Sequence, residues 1–228
     1  MRFNTRGIRY RLVQVNCFKN TARQSLHCHS QLLYQMFFML YPFVKIVTNR
    51  QGESSVKKLM AQHDYHIFKI KTLEMTVGGE QGIFYQIVQP DWVNIIAFHK
   101  GQLIVEKQFR IGCDQEILEL PAGIIERDEG IIAAAERELL EETGYKGCGQ
   151  LLSEMLPNPA LQTNRCHTVL IPETTNTGQT QPDSFEVIST ELMSLSEVEA
   201  AIMHGQFQNA LHIASLYQYH LHQKNLFL

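Results

Sequence analysis

At 228 residues and 44% apolar side chains, the chain has material for one ordinary core plus an extension. Its formal charge of −3 conceals an asymmetry: residues 1–52 carry eight Lys or Arg and no acid, whereas the rest carry twelve basic and twenty-three acidic side chains, a net of −11. So acidic a body speaks against gripping nucleic acid through its phosphates, and five scattered cysteines (Cys17, Cys28, Cys113, Cys148 and Cys166), odd in number and without a CxxC pair, speak against a disulfide framework and for a reducing, cytoplasmic compartment.

In chain order, Arg2, Arg6, Arg9, Arg11, Lys19 and Arg23 precede an apolar run at 32–47. The run is shorter than the about 20 apolar residues of a membrane span, and Gln35, Pro42 and Lys45 interrupt it. It lacks the small-residue cleavage site of a secretory signal, while an Arg-rich, acid-free start is also the composition of an organellar transit peptide. Translation from Met39 or Met60 would place the earlier residues outside the protein. The expected organisation is a basic, apolar extension over 1–60, dispensable or mis-assigned, and a globular domain over 61–228. A membrane-associating or organellar leader is the alternative. His27-Cys28-His29 lacks the spacing and the second pair of a zinc module.

From Ala61 onward the alternation at 66–70 predicts a strand, and the glycines at 78, 79 and 82 predict a turn into a second strand at 83–88. Segments 93–99 and 102–109 flank Lys100 and Gly101 and read as a hairpin. Residues 116–120 form a short strand, and 149–155 and 166–171 two more. Residues 173–183, rich in Thr, Asn, Gln, Gly and Pro, read as a mobile surface loop. A last strand is expected at 185–189. Ser196, with Glu199 three residues on, predicts a capping box opening a helix to about 204, and 208–222 a final helix. No repeats are visible. The fold class is α+β, with mixed strands, a central helix and a C-terminal helical pair.

That central helix carries the chemistry. Glu138, Glu141 and Glu142 stand at i, i+3 and i+4, which puts three carboxylates on one helical face. A solvated acidic face is the ordinary fate of such a run. Three like charges held together, however, call for cations, and hard divalent ions take oxygen ligands and bind substrate phosphates. Ile131, Ile132, Ala135 and Leu139 give the helix an apolar side. Asp128 and Glu129 lie near its start, where the dipole favours negative charge. Gly144 follows the last turn as a left-handed cap, and Gly123 permits a tight turn before the helix.

The stretch Gly123, Glu129, Arg137, Glu138, Leu139, Glu141, Glu142, Gly144 and Tyr145 resembles the signature box of the Nudix hydrolases, G-x5-E-x7-R-E-U-x-E-E-x-G-U with U a bulky apolar residue, at every specified position. The motifs around Trp92 and Val93, Glu106 to Arg110, Glu119 to Gly123 and the prolines 157 and 159 resemble the ADP-ribose pyrophosphatase branch. The resemblance covers roughly residues 61–228 and implies an α/β/α sandwich. It also implies Mg²⁺- or Mn²⁺-dependent hydrolysis of a nucleoside diphosphate linked to another group, foremost ADP-ribose to AMP and ribose 5-phosphate. GDP-mannose, another nucleotide sugar or an oxidised nucleotide is an alternative substrate, and a non-catalytic nucleotide-binding domain an alternative role.

By the same resemblance, Glu138 and Glu142 are metal ligands, Glu141 is a ligand or acts on a metal-bound water, and the Ala122 carbonyl is a further ligand. Arg110 contacts substrate phosphate, and Arg137 clamps Glu129 in a structural role. The branch usually adds a glutamate from the loop before the last strand. Here Asp183 stands in its place, with Gln181 two residues earlier and Glu186 as the back-up for the general base. Trp92, or an aromatic of the first strands such as Tyr65 or Phe68, would stack on adenine. A homodimer is implied by the resemblance alone.

Overall fold

The computed structural model describes residues 57–181 and 187–224. Every described residue belongs to the unit Ser54–Leu228. Residues 1–56 of the basic extension, Asp183 and Glu186 lie outside the described residues.

Three antiparallel strands come first: β1 (Lys58–Tyr65), β2 (Phe68–Val77) and β3 (Glu80–Val88). β1 starts ahead of the expected domain boundary at 61. Segment 66–70 is not one strand, because the β1–β2 turn falls at His66 and Ile67. Tyr65 and Phe68 are partners across that turn and their rings stack at 5.1 Å. The alternation therefore straddles a hairpin tip that the ring pair closes.

A mixed sheet of seven strands forms the body. Its order is β12 (Ile188–Met193), β5 (Gln102–Arg110), β4 (Trp92–His99), β10 (Cys166–Ile171) and β9 (Gln150–Met155), with β6 (Gln115–Glu119) on β5 and β7 (Ala122–Ile124) on β4. β4 and β10 run parallel, from Cys166 opposite Trp92 to Ile171 opposite Ala97, and the remaining pairs are antiparallel. The expected hairpin at Lys100 and Gly101 is present with φ of 50° and 79°, the doubly left-handed turn whose twist matches its strands.

Helices cover both faces. On one lies α1 (Ile131–Thr143), whose Ala134, Ala135 and Leu139 pack on Val93, Ile95, Ala97, Ile104, Val169 and Ile171. On the other lie α2 (Leu195–Met203) and α3 (Ala210–Gln223), where Val198, Ala201 and Phe207 meet Ile96, Phe98, Leu103, Val105, Leu120 and Leu170. Odd residues of β4 thus serve one core and even residues the other, so the strand reads as nearly continuous apolar sequence. Each fully buried Ile or Leu contributes about 1.5–3 kcal/mol. This is the expected α+β sandwich.

Several boundaries differ from expectation. Helix α2 is capped by Ser194, whose hydroxyl accepts from Glu197 N–H at 3.2 Å while Glu197 accepts from Ser194 N–H at 2.7 Å. Two overlapping S-x-x-E boxes compete here, and the earlier one buries Val198 and Ala201. The last strand begins at Ile188 and runs to Met193, because its inward residue Leu192 packs on the α1-side core. Within 173–183, Thr175–Asn176 form β11 against β8 (Tyr145–Lys146). Thr177 N–H to Gly144 O and Gln181 N–H to Glu141 O, each 2.8 Å, tie the same segment to the end of α1.

Candidate active site

The site is built around one guanidinium. Arg137 on α1 grips Glu129 with two parallel bonds of 2.9 Å, Nε to Oε1 and Nη2 to Oε2. Its Nη1 lies 3.0 Å from carboxylate oxygens of both Glu138 and Glu141, and Nη2 also donates to the Ile124 carbonyl at 3.1 Å. Glu129 in turn accepts from Glu126 N–H at 3.1 Å. The fork therefore pins the loop before α1 to the helix, as the sequence implied, and it also gathers two of the box carboxylates. Its bonds to Glu129 hold that carboxyl below the usual glutamate range, and the same pairing raises the pKa of Arg137 itself.

The residues around the helix ends act differently from expectation in two places. Asp128 and Glu129 do not enter the first turn of α1, which holds no acid. Asp128 takes a left-handed φ of 65° and Glu129 turns to Arg137, because a bidentate Arg–carboxylate pair is stronger than a dipole contact. Gly123 makes no turn either. It lies within β7 opposite Val93, and a Cβ there would run into the Glu138 side chain. The glycine makes room for a carboxylate. Gly144 does cap α1, with φ 73° and its N–H on Leu140 O at 2.9 Å.

Glu142 is buried, and one of its oxygens accepts from Ala122 N–H at 3.2 Å, joining α1 to β7. Glu138, Glu141, Glu142, Ala122, Arg110 and Gln181 all border one cleft of about 510 Å³. A larger hollow of about 740 Å³ opens past Arg137 and Glu141 toward Lys146, Thr175 and Gln179, without Glu138, Glu142 or Arg110. The smaller cleft is the one where carboxylates and cations converge. Among the described residues, no three His, Cys, Asp or Glu side chains stand ready-grouped around a metal position. The donor set nevertheless fits a hard cation: three carboxylates and a backbone carbonyl are all oxygen ligands, and the missing Cβ of Gly123 leaves the Glu138 side chain its place in the cleft that Ala122 also lines.

Arg110, at the end of β5, is aimed by a residue that the sequence reading gave no role. Its Nε donates to Glu119 at 2.5 Å; Glu119 is almost fully buried, and its other oxygen accepts from Asn209 Nδ2 at 2.6 Å. Asn209 also caps α3, its Oδ1 accepting from Leu211 N–H at 3.1 Å. Glu119 lies directly opposite a second buried acid, Glu106. An acid at 119, directly after the apolar pair Ile117 and Leu118 and two residues before Pro121, was the available signal. His212, one turn into α3, is 3% exposed and accepts from Leu120 N–H through Nδ1 at 3.0 Å. Burial, and then the nearby Arg110 charge, push its pKa down to about 3. No sequence pattern pointed to Asn209 or His212.

Trp92 stands outside the carboxylate cleft. It lines a neighbouring recess of about 300 Å³ with Asn94, Asn209 and His212, and the two hollows share Arg110, Ala122, Gly123 and Ile124. Tyr65 and Phe68 sit at the β1–β2 tip, stacked on each other. Gln181 reaches the cleft, whereas Asp183 and Glu186 fall among residues 182–186, outside the described residues.

Known proteins resemble this chain in sequence and in fold. The ADP-sugar pyrophosphatase of Mus musculus is 42% identical over 74 residues, which is 32% of this chain and 34% of that protein. The ADP-ribose pyrophosphatase of Saccharomyces cerevisiae is 48% identical over 46 residues, 20% of each chain. The chain thus matches about a third or less of the length of these two relatives. The crystal structure of an ADP compounds hydrolase superposes with a TM-score of 0.66 at 17% identity, over 75% of this chain and 96% of that one, and so shares the fold. The NUDIX domain model matches residues 90–212, more than half of the chain, from the Trp92 strand through the box to His212: the chain belongs to the NUDIX domain family.

Proposed function

We propose that this protein is a divalent-metal-dependent hydrolase of nucleoside diphosphates linked to another group, with ADP-ribose, cleaved to AMP and ribose 5-phosphate, as its foremost substrate. The convergence of Glu138, Glu141, Glu142 and the braced cation Arg110 on one cleft carries this reading. The names of the mouse and yeast relatives support the choice of substrate. Bound Mg²⁺ or Mn²⁺ would neutralise the pyrophosphate and lower the pKa of the attacking water. Glu138, Glu142 and the Ala122 carbonyl would hold it. Glu141 would serve as a ligand or receive the proton, with Asp183 as the loop carboxylate. Arg110 would fix a substrate phosphate, and its bond to buried Glu119 keeps it from folding back onto the metal carboxylates. Trp92, beside that arginine, would bound the substrate's remainder. Arg137 holds the carboxylates in place and takes no part in the reaction.

The test is product release from ADP-ribose, GDP-mannose, NADH and 8-oxo-dGTP with Mg²⁺ or Mn²⁺. We expect ADP-ribose to be cleaved fastest. Glu142→Gln should lower kcat by at least about a hundredfold while melting near wild type, since the amide oxygen can still accept from Ala122 N–H. No turnover of any of the four would sink the enzymatic reading, and an active Glu142→Gln would sink the ligand assignment.

The unit that does this work is taken as 61–228, extended by the start of β1. We further propose a homodimer through the β1–β3 sheet, where Leu59, Ile67, Val77, Ile83 and Tyr85 are exposed. Sedimentation equilibrium should give twice the chain mass, and a monomer at micromolar concentration would reject it. Among the described residues, no helix is long and apolar enough to cross a membrane.

A further inference from the structure

We propose that the recess between β4, β7 and the first turn of α3 binds the sugar on the far side of the pyrophosphate, with the Nε2–H of His212 as the donor that selects for a hydroxyl-bearing group. This rests on the pyrophosphatase reading above and adds to it a place for the second half of the substrate.

Continuity is the first argument. The recess and the carboxylate cleft share the wall formed by Arg110, Ala122, Gly123 and Ile124. A molecule with its phosphates against Arg110 in the cleft therefore presents its next group to the recess. At about 300 Å³ the recess is at the lower end of ligand pockets, which suits a single sugar ring rather than a nucleoside with its phosphates.

Hydrogen-bond accounting is the second. Asn94 Nδ2 donates to Ser215 Oγ at 3.0 Å. Asn209 is committed at both ends, to Glu119 and to Leu211 N–H. Arg110 gives its Nε to Glu119. His212 differs. Its Nδ1 accepts from Leu120 N–H, so the ring proton sits on Nε2, and no described residue accepts from that atom. A side chain 3% exposed that lines a recess with one donor unspent is a recognition element for an acceptor. Burial and Arg110 keep the ring neutral, so it offers a proton without offering charge. The occupant it suits is a neutral hydroxyl. Trp92, half-buried and lining the same recess, adds an apolar plane for the C–H face of a sugar.

The test is His212→Asn. An asparagine oxygen takes the place of Nδ1 and can still accept from Leu120 N–H, while the Nε2 donor is lost. Two rates are compared, kcat/KM for ADP-ribose and for ADP carrying a methyl ester on its β-phosphate. The ratio should fall about tenfold, the worth of one hydrogen bond to an otherwise unsatisfied group. A ratio within twofold of wild type overturns the proposal. Binding of ribose 5-phosphate, measured by calorimetry, needs no turnover. It should weaken about tenfold in the variant, and equal affinity, or none in the wild type, also overturns it. A wild type that binds ribose 5-phosphate yet cleaves neither diphosphate sinks the pyrophosphatase reading alone. Should His212→Asn fail to fold, Trp92→Leu is the second variant, with the same loss of ratio expected and the same outcome overturning the proposal.

Discussion

At the scale of single residues, the site depends on an atom that is not there. Gly123 has an ordinary strand conformation, so alanine meets no backbone penalty, yet its Cβ would occupy the space of the Glu138 carboxylate. That side chain is flexible and can swing aside, so stability should change by about 1 kcal/mol or less. Activity should not escape so lightly, because a ligand displaced by an ångström can cost about a hundredfold. We expect Gly123→Ala to melt near wild type and to lose turnover of ADP-ribose by about that factor. Gly130→Ala, at a position with open space around it, is the control and should keep its activity. Equal activity of the two variants would show that Glu138 is not held where the metal needs it.

At the scale of elements, the sequence was most readable where local and tertiary requirements coincide. The box helix has a left-handed glycine after its last turn and a charge pattern that only one face can carry, and both appear in place. Its apolar stripe is Ile131, Ala134, Ala135 and Leu139, whereas Ile132, expected in it, is exposed because it falls outside the arc that faces the sheet. The β4–β5 hairpin was equally plain, because Lys100 and Gly101 satisfy the turn and the flanking runs satisfy both cores. Reading failed where two local solutions were equally good. Ser194 and Ser196 each start an S-x-x-E box, and only burial of Val198 and Ala201 chooses between them. The tip at His66 and Ile67 was invisible because ring stacking between Tyr65 and Phe68, not a glycine or proline, closes it. The Arg110–Glu119–Asn209 relay was hidden for a different reason. Glu119 and Asn209 are 90 residues apart, and no spacing rule reports a contact made by bringing α3 to the end of β6.

At the scale of the whole molecule, the carboxylate cleft and the recess meet at β7, beside the seam where the α3 layer joins the sheet, so what titrates at that seam should govern stability as well as recognition. His212 stands there, neutral in the folded state down to about pH 3, whereas an exposed imidazole charges near pH 6.5. Between those values the unfolded chain takes up a proton that the folded chain refuses. Stability therefore falls as pH falls, by at most about 1.4 kcal/mol per pH unit from this group. Glu129 acts lower on the scale and in the same direction. Its folded pKa lies below the ordinary glutamate value of 4.5, so its pairing with Arg137 stabilises fully above that value and is lost as pH drops through the folded one. The expected profile is a decline that begins below pH 6.5 and steepens below 4.5. Urea unfolding at pH 7 and pH 5 isolates the first part, because His212→Asn removes that imidazole and leaves the other histidines unchanged. The wild type should lose up to about 2 kcal/mol more than the variant between the two pH values. Parallel losses would mean that the imidazole between α3 and β6 charges in the folded protein, and that the layer tolerates the cation.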